Sequence, residues 1–190
     1  MRGRIIIGVM EPELAEDDRP PKTLTIEEYY RHVWRPDCDF VDGRSEERNL
    51  GTYPHSATVT ALLWQLSDKQ KPWRVMPLPS LRVRVSPTRV RVPDVCVIVR
   101  GAPDEQVLTN PPIAVIEVLE EEDRFSSTME KLRDFEQFGV GWIWVIDPRR
   151  HKVMRYFEGG LELARDAEFV VPGKPVRVVL SELFAELDRR

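Results

Sequence analysis

The sequence predicts an α/β domain in which helices flank a central mixed sheet. Its hydrophobic residues first recur at helical spacing, then alternate with polar residues, and then form short apolar runs that a further helix separates. At 190 residues, of which 42% are hydrophobic, the chain is long enough for a sizeable core. We therefore expect a single domain over residues 22–190, preceded by a flexible extension over residues 1–21.

The first two helices are predicted from local signals. Thr25 and Glu28 form a capping box, which indicates a helix from Thr25 to about Val33 that Pro36 ends. A second helix is expected from about His55 to Lys69, because apolar residues recur along this segment at helical spacing.

Strands are predicted where the hydrophobic period changes to two or where apolar residues run together. Residues 39–43 are expected to form a short strand and a turn in which Gly43 takes a positive φ. Residues 44–50 are strongly charged and are assigned to no helix or strand, and the Pro- and Gly-containing segment 101–112 is expected to be a loop. The remaining strands are expected at Trp73–Met76, Leu81–Val85, Val90–Val92, Asp94–Val99, Ile113–Leu119 and Trp142–Ile146.

The last third of the chain completes this pattern. A helix is expected from about Ser126 to Phe138. A β hairpin is expected around Gly159-Gly160, followed by a short strand at Val176–Val179 and a small helix at Leu180–Leu187. The predicted fold is therefore an α/β domain that ends in a β hairpin and a short helix.

Two acidic residues stand out because their neighbours are apolar. Glu117 lies inside the apolar run 114–119, and Asp94 follows Pro93 at the start of the run 95–99. An unpaired carboxylate inside a buried strand costs on the order of several kcal/mol, so a basic partner, a raised pKa or a bound cation must stabilise it. Two such acids on neighbouring strands indicate a metal site.

Carboxylates favour hard cations such as Mg²⁺ or Mn²⁺, which take their remaining ligands from water and from substrate phosphates. This preference indicates chemistry on phosphate esters. Lys131 is the candidate cationic partner, because it borders the apolar stripe of the helix that follows the Glu117 strand. From that position it can lean over the sheet edge towards the two acids.

These residues, in this order, resemble the PD-(D/E)XK nuclease superfamily. The closer resemblance is to its Uma-type endonuclease branch, and it extends from about Thr23 to Tyr156. The resemblance implies a restriction-endonuclease-like core and metal-dependent hydrolysis of DNA. The matching segments are Thr25–Tyr29, Val41-Asp42-Gly43, His55, Pro93-Asp94-Val95, Glu117-Val118-Leu119, Lys131, Gly139-Val140 and Trp144–Pro148.

The resemblance also implies a role for each site residue. Asp94 and Glu117 are expected to bind the metal together with the Val118 carbonyl, and Lys131 is expected to serve the attacking water. The simplest superfamily motif has its lysine at the position of Leu119, and the branch tends to have an aspartate at the position of Ser127. Glu46 or Glu47 is expected to supply a further acid, and the sequence does not choose between them.

Other functions stay open from the sequence. Glu117 can instead be a buried carboxylate that an arginine neutralises, and His55 can be a hydrogen-bonded residue near a helix start or a contact to the acids. The Ser127 departure leaves a non-catalytic nucleic-acid- or protein-binding module as the main alternative, with a hydrolase of smaller phosphate esters as a third. Six arginines can line a phosphate-binding face or an ion-paired surface: Arg44, Arg48, Arg82, Arg84, Arg89 and Arg91.

Partners and location follow from the same sequence. DNA is the expected partner, although a net charge of −4 gives no general attraction to nucleic acid. A homodimer is expected because two cuts need two sites, with the C-terminal hairpin and final helix as the candidate interface. No apolar stretch is long enough to span a bilayer, and the two cysteines match no zinc signature, so we expect a cytoplasmic protein.

Overall fold

The computed structural model describes residues 21–31, 34, 37–48, 51–103, 105–121, 123–164, 168–171, 173 and 176–188. The expected extension at residues 1–21 lies outside this part of the chain except for Pro21. The helices are α1 (Ile26–Arg31), α2 (Tyr53–Asp68), α3 (Gln70–Trp73), α4 (Phe125–Phe138) and α5 (Leu180–Asp188). The strands are β1 (Cys38–Val41), β2 (Arg44–Glu47), β3 (Val75–Pro79), β4 (Arg82–Ser86), β5 (Arg89–Arg91), β6 (Val95–Val99), β7 (Val107–Leu108), β8 (Ala114–Val118), β9 (Trp142–Asp147), β10 (Lys152–Phe157), β11 (Gly160–Leu163), β12 (Glu168–Val170) and β13 (Arg177–Val179).

The strands form two mixed sheets and a small two-stranded one, which confirms the predicted α/β class. The central sheet has the order β11-β10-β9-β8-β6-β3, and β8 and β9 are its parallel pair. A second sheet has the order β2-β1-β5-β4-β7. The sequence pattern predicted a single central sheet, because the alternation in β4 and β5 shows that one face is buried but not which sheet a strand joins.

The two faces of the central sheet are covered by different helices. Ile116 and Val118 on β8 belong to the core that α2 and α5 cover. Val115 belongs to a second core that α4 contributes to, through Leu132 and Phe135. Because side chains alternate along a strand, Glu117 points to the same face as Val115, towards α4. The helix after β8 therefore lies over the acid that β8 carries.

Several local signals are confirmed by the structure. Glu28 N donates to Thr25 Oγ1 at 3.2 Å and Thr25 N donates to Glu28 Oε2 at 2.7 Å, which is the expected capping box. Gly43 has φ +84° in the two-residue turn between β1 and β2. Gly139 has φ +98° and ends α4 in the left-handed conformation that glycine tolerates.

Other boundaries were wrong in the sequence prediction. Trp73 ends the short helix α3, and the strand that was expected to begin there begins at Val75. The charged segment after Gly43 forms β2, because its main chain pairs with β1 while its polar side chains stay partly exposed. The expected loop 101–112 contains β7, which pairs in parallel with β4. The first helix ends at Arg31, and residues 32 and 33 lie outside the described chain.

The sequence correctly predicted a hairpin and a final helix in the C-terminal part of the chain. The β10–β11 hairpin turns at residues 158 and 159, and the final helix is α5. The hairpin extends the central sheet, with β11 at its edge. Within the described chain, no helix combines the length and the apolar character that crossing a membrane requires.

Candidate functional site

The candidate site is a cleft of about 140 Å³ between the two sheets and the starts of α2 and α4. Val95 pairs with Ile116 in the antiparallel register of β6 and β8, so the next pair along places Asp94 opposite Glu117. Directly opposite residues of an antiparallel pair point to the same face. Both acids line the cleft, so the two strands bring them together as the sequence predicted.

Glu117 is buried in this cleft with only one of its oxygens satisfied. Lys131 Nζ donates to Glu117 Oε2 at 2.9 Å. Glu117 Oε1 is buried and has no hydrogen-bond partner in the described structure. Burial raises the pKa of Glu117 to about 7, although the Lys131 charge opposes the change. The side chain that pairs with Glu117 is thus a lysine, whereas the alternative interpretation of the sequence expected an arginine.

Asp94 has the opposite electrostatic setting. Arg48 Nη2 donates to Asp94 Oδ1 at 2.5 Å, and the Val118 N–H donates to Asp94 Oδ2 at 2.8 Å. His55 Nε2 lies 3.3 Å from the same Oδ2. Burial alone would raise the pKa of Asp94, but the His55 hydrogen bond and the charges of Lys131 and Arg48 lower it to about 2. Asp94 therefore stays ionised.

Lys131 reaches the cleft from the first half of α4. Besides Glu117, its Nζ donates to the Val92 carbonyl at 2.8 Å, two residues before Asp94. The neighbouring Leu132 is fully buried, so the Lys131 stem follows the edge of the buried stripe. The structure thus places the lysine where the sequence expected it. Its chemical role stays a prediction.

His55 is positioned by the start of α2. Thr52, the N-cap residue, donates from its main-chain N–H to Glu120 Oε1 at 2.7 Å and from Oγ1 to Glu120 Oε2 at 2.8 Å. Glu120 lies two residues after the end of β8, so it connects the beginning of α2 to the strand that carries Glu117. His55 contacts Asp94, and the Asp94 hydrogen bond raises the pKa of His55 against the effect of burial.

A buried arginine joins the second sheet to α4 behind the acids. Arg91 is 1% exposed, and its Nε donates to Asp134 Oδ2 at 2.7 Å. Its Nη1 donates to Asp39 Oδ2 at 3.2 Å and to Glu46 Oε2 at 2.7 Å. The other Asp39 oxygen accepts the Val92 N–H at 2.8 Å. The segment that leads to Asp94 is therefore bound both to the second sheet and to α4.

The remaining predicted residues all line the cleft. Glu46 and Glu47 both border it, and Glu46 is the one that binds Arg91. Ser127 borders it from the first turn of α4 and is exposed. Val118 also lines the cleft, and its main-chain N–H donates to Asp94. Metal binding by the Val118 carbonyl stays a prediction.

The arginines favour the ion-paired interpretation over an open phosphate-binding face. Arg82 Nη2 donates to Asp37 at 2.6 Å, and Arg89 Nη2 donates to Asp42 at 2.5 Å. Arg48 and Arg91 are paired within the cleft. Four of the six arginines thus have carboxylate partners.

Sequence reasoning did not place several residues in the cleft, and it named Arg48 and Arg91 only as members of a possible phosphate-binding or ion-paired surface. Asp39 lies in an apolar strand between Cys38 and Phe40, which is the signal that identified Glu117. Arg91 lies between two buried valines, and its burial marks a position where a charge needs partners. Arg48 and Glu120 lie in charged segments, where nothing in the sequence separates a buried charge from a solvated one.

The cleft fits a divalent cation held by few protein ligands. Among the described residues, no group of three or more His, Cys, Asp and Glu side chains could hold a metal ion. Mg²⁺ commonly uses one or two carboxylates and takes its other ligands from water and phosphate. Glu117 Oε1 is a buried carboxylate oxygen without a hydrogen-bond partner in the described structure, and Asp94 lies across the strand pair from it. A cation in this cleft would therefore have at most a few protein ligands, and water or phosphate would supply the others.

Comparison with known proteins identifies the family and the fold of the chain. The model of the Uma2 family, described as "Putative restriction endonuclease", matches residues 26–187. One solved structure, described as "a putative nuclease belonging to DUF820 from Anabaena variabilis ATCC 29413", matches with a TM-score of 0.73 at 18% identity, over 86% of this chain and 99% of that chain. No curated protein sequence matches. Since the family model spans most of the chain and the solved structure has the same fold, the chain belongs to the Uma2 family of restriction-endonuclease-like proteins.

Proposed function

We propose that this protein is an endonuclease that hydrolyses DNA phosphodiester bonds with Mg²⁺ or Mn²⁺ as cofactor. The observation that carries the proposal is Glu117 Oε1, which is buried beside Asp94 and has no hydrogen-bond partner within the described chain. Such an oxygen is costly unless a ligand binds it. The family description and the nuclease-like fold support the same reaction class.

In this proposal Asp94, Glu117 and the Val118 carbonyl hold the cation. When bound, the cation supplies Lewis-acid polarisation of the phosphoryl oxygen and a more acidic water. Lys131 Nζ, held between Glu117 Oε2 and the Val92 carbonyl, orients the attacking water and places positive charge near the developing negative charge. Attack is in-line, and no covalent enzyme intermediate forms.

The accessory residues take supporting roles. His55 keeps Asp94 ionised through its contact with Oδ2. Glu46 is held by Arg91, whereas Glu47 lines the cleft and is exposed, so Glu47 is the better placed of the two to meet a substrate or a second cation. Ser127 lies one turn before Lys131 and leaves room at the cleft mouth for the DNA backbone.

Nicking of supercoiled plasmid DNA tests the proposal. The wild-type chain is expected to convert the plasmid to open-circular form with Mg²⁺ or Mn²⁺, and EDTA is expected to abolish this conversion. Asp94→Ala and Glu117→Ala are expected to remove nicking while circular dichroism shows a retained fold. Nicking that survives in both variants would contradict the proposed site.

The alternative is a binding module without catalysis, and the contacts of Asp94 favour it. Both Asp94 oxygens already have protein donors, namely Arg48, His55 and the Val118 N–H. A wild-type chain that binds DNA but does not cleave it with either cation would support this alternative. Turnover of small phosphate esters with DNA left intact would support the third candidate function.

We further propose that the protein acts as a homodimer in the cytoplasm. The edge strand β11 carries Leu163, which is 55% exposed, and Phe157 on β10 is 42% exposed. Sheet edges with apolar side chains are common association surfaces. Sedimentation should therefore give a dimer for the wild type and a monomer for Leu163→Glu. A wild-type monomer would contradict the dimer.

A further inference from the structure

Arg48 is bound to one of the two proposed metal-binding acids. Its Nη2 lies 2.5 Å from Asp94 Oδ1, and the two side chains are 20% and 6% exposed. Burial alone would lower the pKa of the Arg48 guanidinium, but the charges of Asp94, Asp39 and Glu117 raise it. Arg48 is thus a permanent positive charge that lines the cleft.

The contacts of Asp94 decide where a cation can approach it. Oδ2 accepts the Val118 N–H at 2.8 Å and lies 3.3 Å from His55 Nε2, so both of its lone pairs face protein donors. Among the described residues, the donor to Oδ1 is Arg48. A cation that binds Asp94 must therefore approach Oδ1, which is the oxygen that Arg48 holds.

We propose that Arg48 competes with the divalent cation for Asp94 Oδ1 and pairs with a DNA phosphate when the cation takes that oxygen. This inference rests on the proposed function and assigns Arg48 a role in it. A guanidinium and a dication that both contact Oδ1 would lie close together and repel each other, so only one of them can bind this oxygen closely. A displaced guanidinium needs a new anion, and the planar fork of arginine matches the oxygens of a phosphodiester.

The charges beside the two acids favour joint binding of the cation and DNA. Lys131 and Arg48 already place two positive charges beside Asp94 and Glu117. Because these two cations already balance the two acids, a dication bound between the acids adds local positive charge, which a phosphodiester in the cleft can neutralise. Cation and DNA are therefore expected to strengthen each other's binding, with Arg48 as the residue that changes partner.

Two neutral variants, Arg48→Gln and Arg48→Met, test the exchange. Calorimetric titration is expected to show Mn²⁺ binding roughly tenfold tighter in the variants than in the wild type, because a competing charge is removed. Fluorescence anisotropy of a short labelled duplex at saturating Ca²⁺ is expected to show DNA binding about tenfold weaker, because a phosphate contact is lost. Arg48→Lys, which keeps the charge but not the planar fork, is expected to bind Mn²⁺ like the wild type and to bind DNA more tightly than the two neutral variants.

Arg177→Gln is the matched control, because Arg177 is an exposed arginine on β13 that does not line the cleft. It is expected to change neither affinity. Circular dichroism and thermal melts show which Arg48 variants are folded. One folded neutral variant is enough for the binding measurements. Mn²⁺ binding that is no tighter, or DNA binding that is no weaker, would overturn the exchange.

The outcomes also separate this inference from the proposed nuclease function. Plasmid nicking that depends on Glu117, together with unchanged affinities in the neutral variants, would overturn the Arg48 exchange and leave the nuclease standing. The expected changes in affinity without any nicking by the wild type would support the exchange and overturn the nuclease.

Discussion

Lys131 Nζ lies 2.9 Å from Glu117 Oε2, and Glu117 Oε1 is buried without a hydrogen-bond partner in the part of the chain that the structure describes. A single lysine thus compensates the buried carboxylate on one side only. A protein that kept this acid for stability alone would be expected to satisfy both oxygens. This asymmetry is the observation on which the proposed ligand-binding role of Glu117 rests.

Replacing Lys131 by methionine is expected to keep the fold and to lower the cleavage rate about 100-fold or more, the usual size of a positioned proton-transfer or electrostatic group. Methionine retains an unbranched apolar stem along α4 but has no charge for Glu117 or for the attacking water. Nicking rates at saturating Mg²⁺ measure the effect. Lys152→Met, at an exposed position of β10, is the control and is expected to cleave at the wild-type rate.

Glu117 is expected to make stability depend on pH. Its pKa is 4.5 ordinarily and about 7 in the fold, so the folded chain holds this proton more tightly than the unfolded chain. Its contribution to the free energy of unfolding is therefore fully present below about pH 4.5 and is lost as the pH rises through about 7. Urea unfolding between pH 4 and 8 measures this slope in the wild type.

Glu117→Gln is the comparison for the pH slope, because glutamine does not titrate. His55 also has a raised pKa and gives a slope of the same sign, so the difference between wild type and variant isolates Glu117. Asp94 has its pKa lowered to about 2, and its contribution is lost only as the pH falls through that value. Identical slopes in the wild type and the variant would refute the buried titration of Glu117.

Arg91→Met is expected to lower the free energy of unfolding by about 3–5 kcal/mol, because it leaves Asp39 and Asp134 buried without their shared cation. Chemical denaturation measures the loss. Arg84→Met is the control on the adjacent strand β4, where the arginine contacts the Pro87 carbonyl, and a change below about 1 kcal/mol is expected. Equal effects in both variants would show that the Arg91 network contributes no special stability.

Glu120→Ala is expected to loosen the start of α2. The change removes the acceptor for both the main-chain N–H and the Oγ1 of Thr52, and an expected cost of about 1–2 kcal/mol follows from losing two hydrogen bonds to a charged group. Hydrogen exchange should become faster at residues 52–56, next to His55. Glu121→Ala is the control, since exposed Glu121 pairs with Arg149, and it should leave exchange at these residues unchanged.

Most helices and the strands of the central sheet could be predicted, because each carries its own local signal. The capping box predicted α1, and continuous apolar runs predicted β8 and β9. The strand β2 was missed because its side chains are charged and polar, and its existence depends on main-chain pairing with β1. The strand β7 was missed because its two residues pair with β4 from a distant part of the chain.

The candidate site was predicted in outline for the same reason. An acid among apolar residues signals burial, and this signal identified Glu117 and Asp94 and was also present at Asp39. Arg48 lies in a run where charged residues follow one another, so its burial against Asp94 has no signature in the sequence. Contacts between residues far apart in the chain decide which of many charges are buried.

The sequence by itself determined the α/β class, the family pattern and the two acids, because hydrophobic period and isolated buried charges are properties of short segments. Only the tertiary structure decided which cation faces which acid. It placed Lys131 against Glu117 and Arg48 against Asp94, and it left one Glu117 oxygen without a donor in the described structure. Such pairings depend on how two sheets and a helix meet in space, and the electrostatics of the cleft follow from that arrangement.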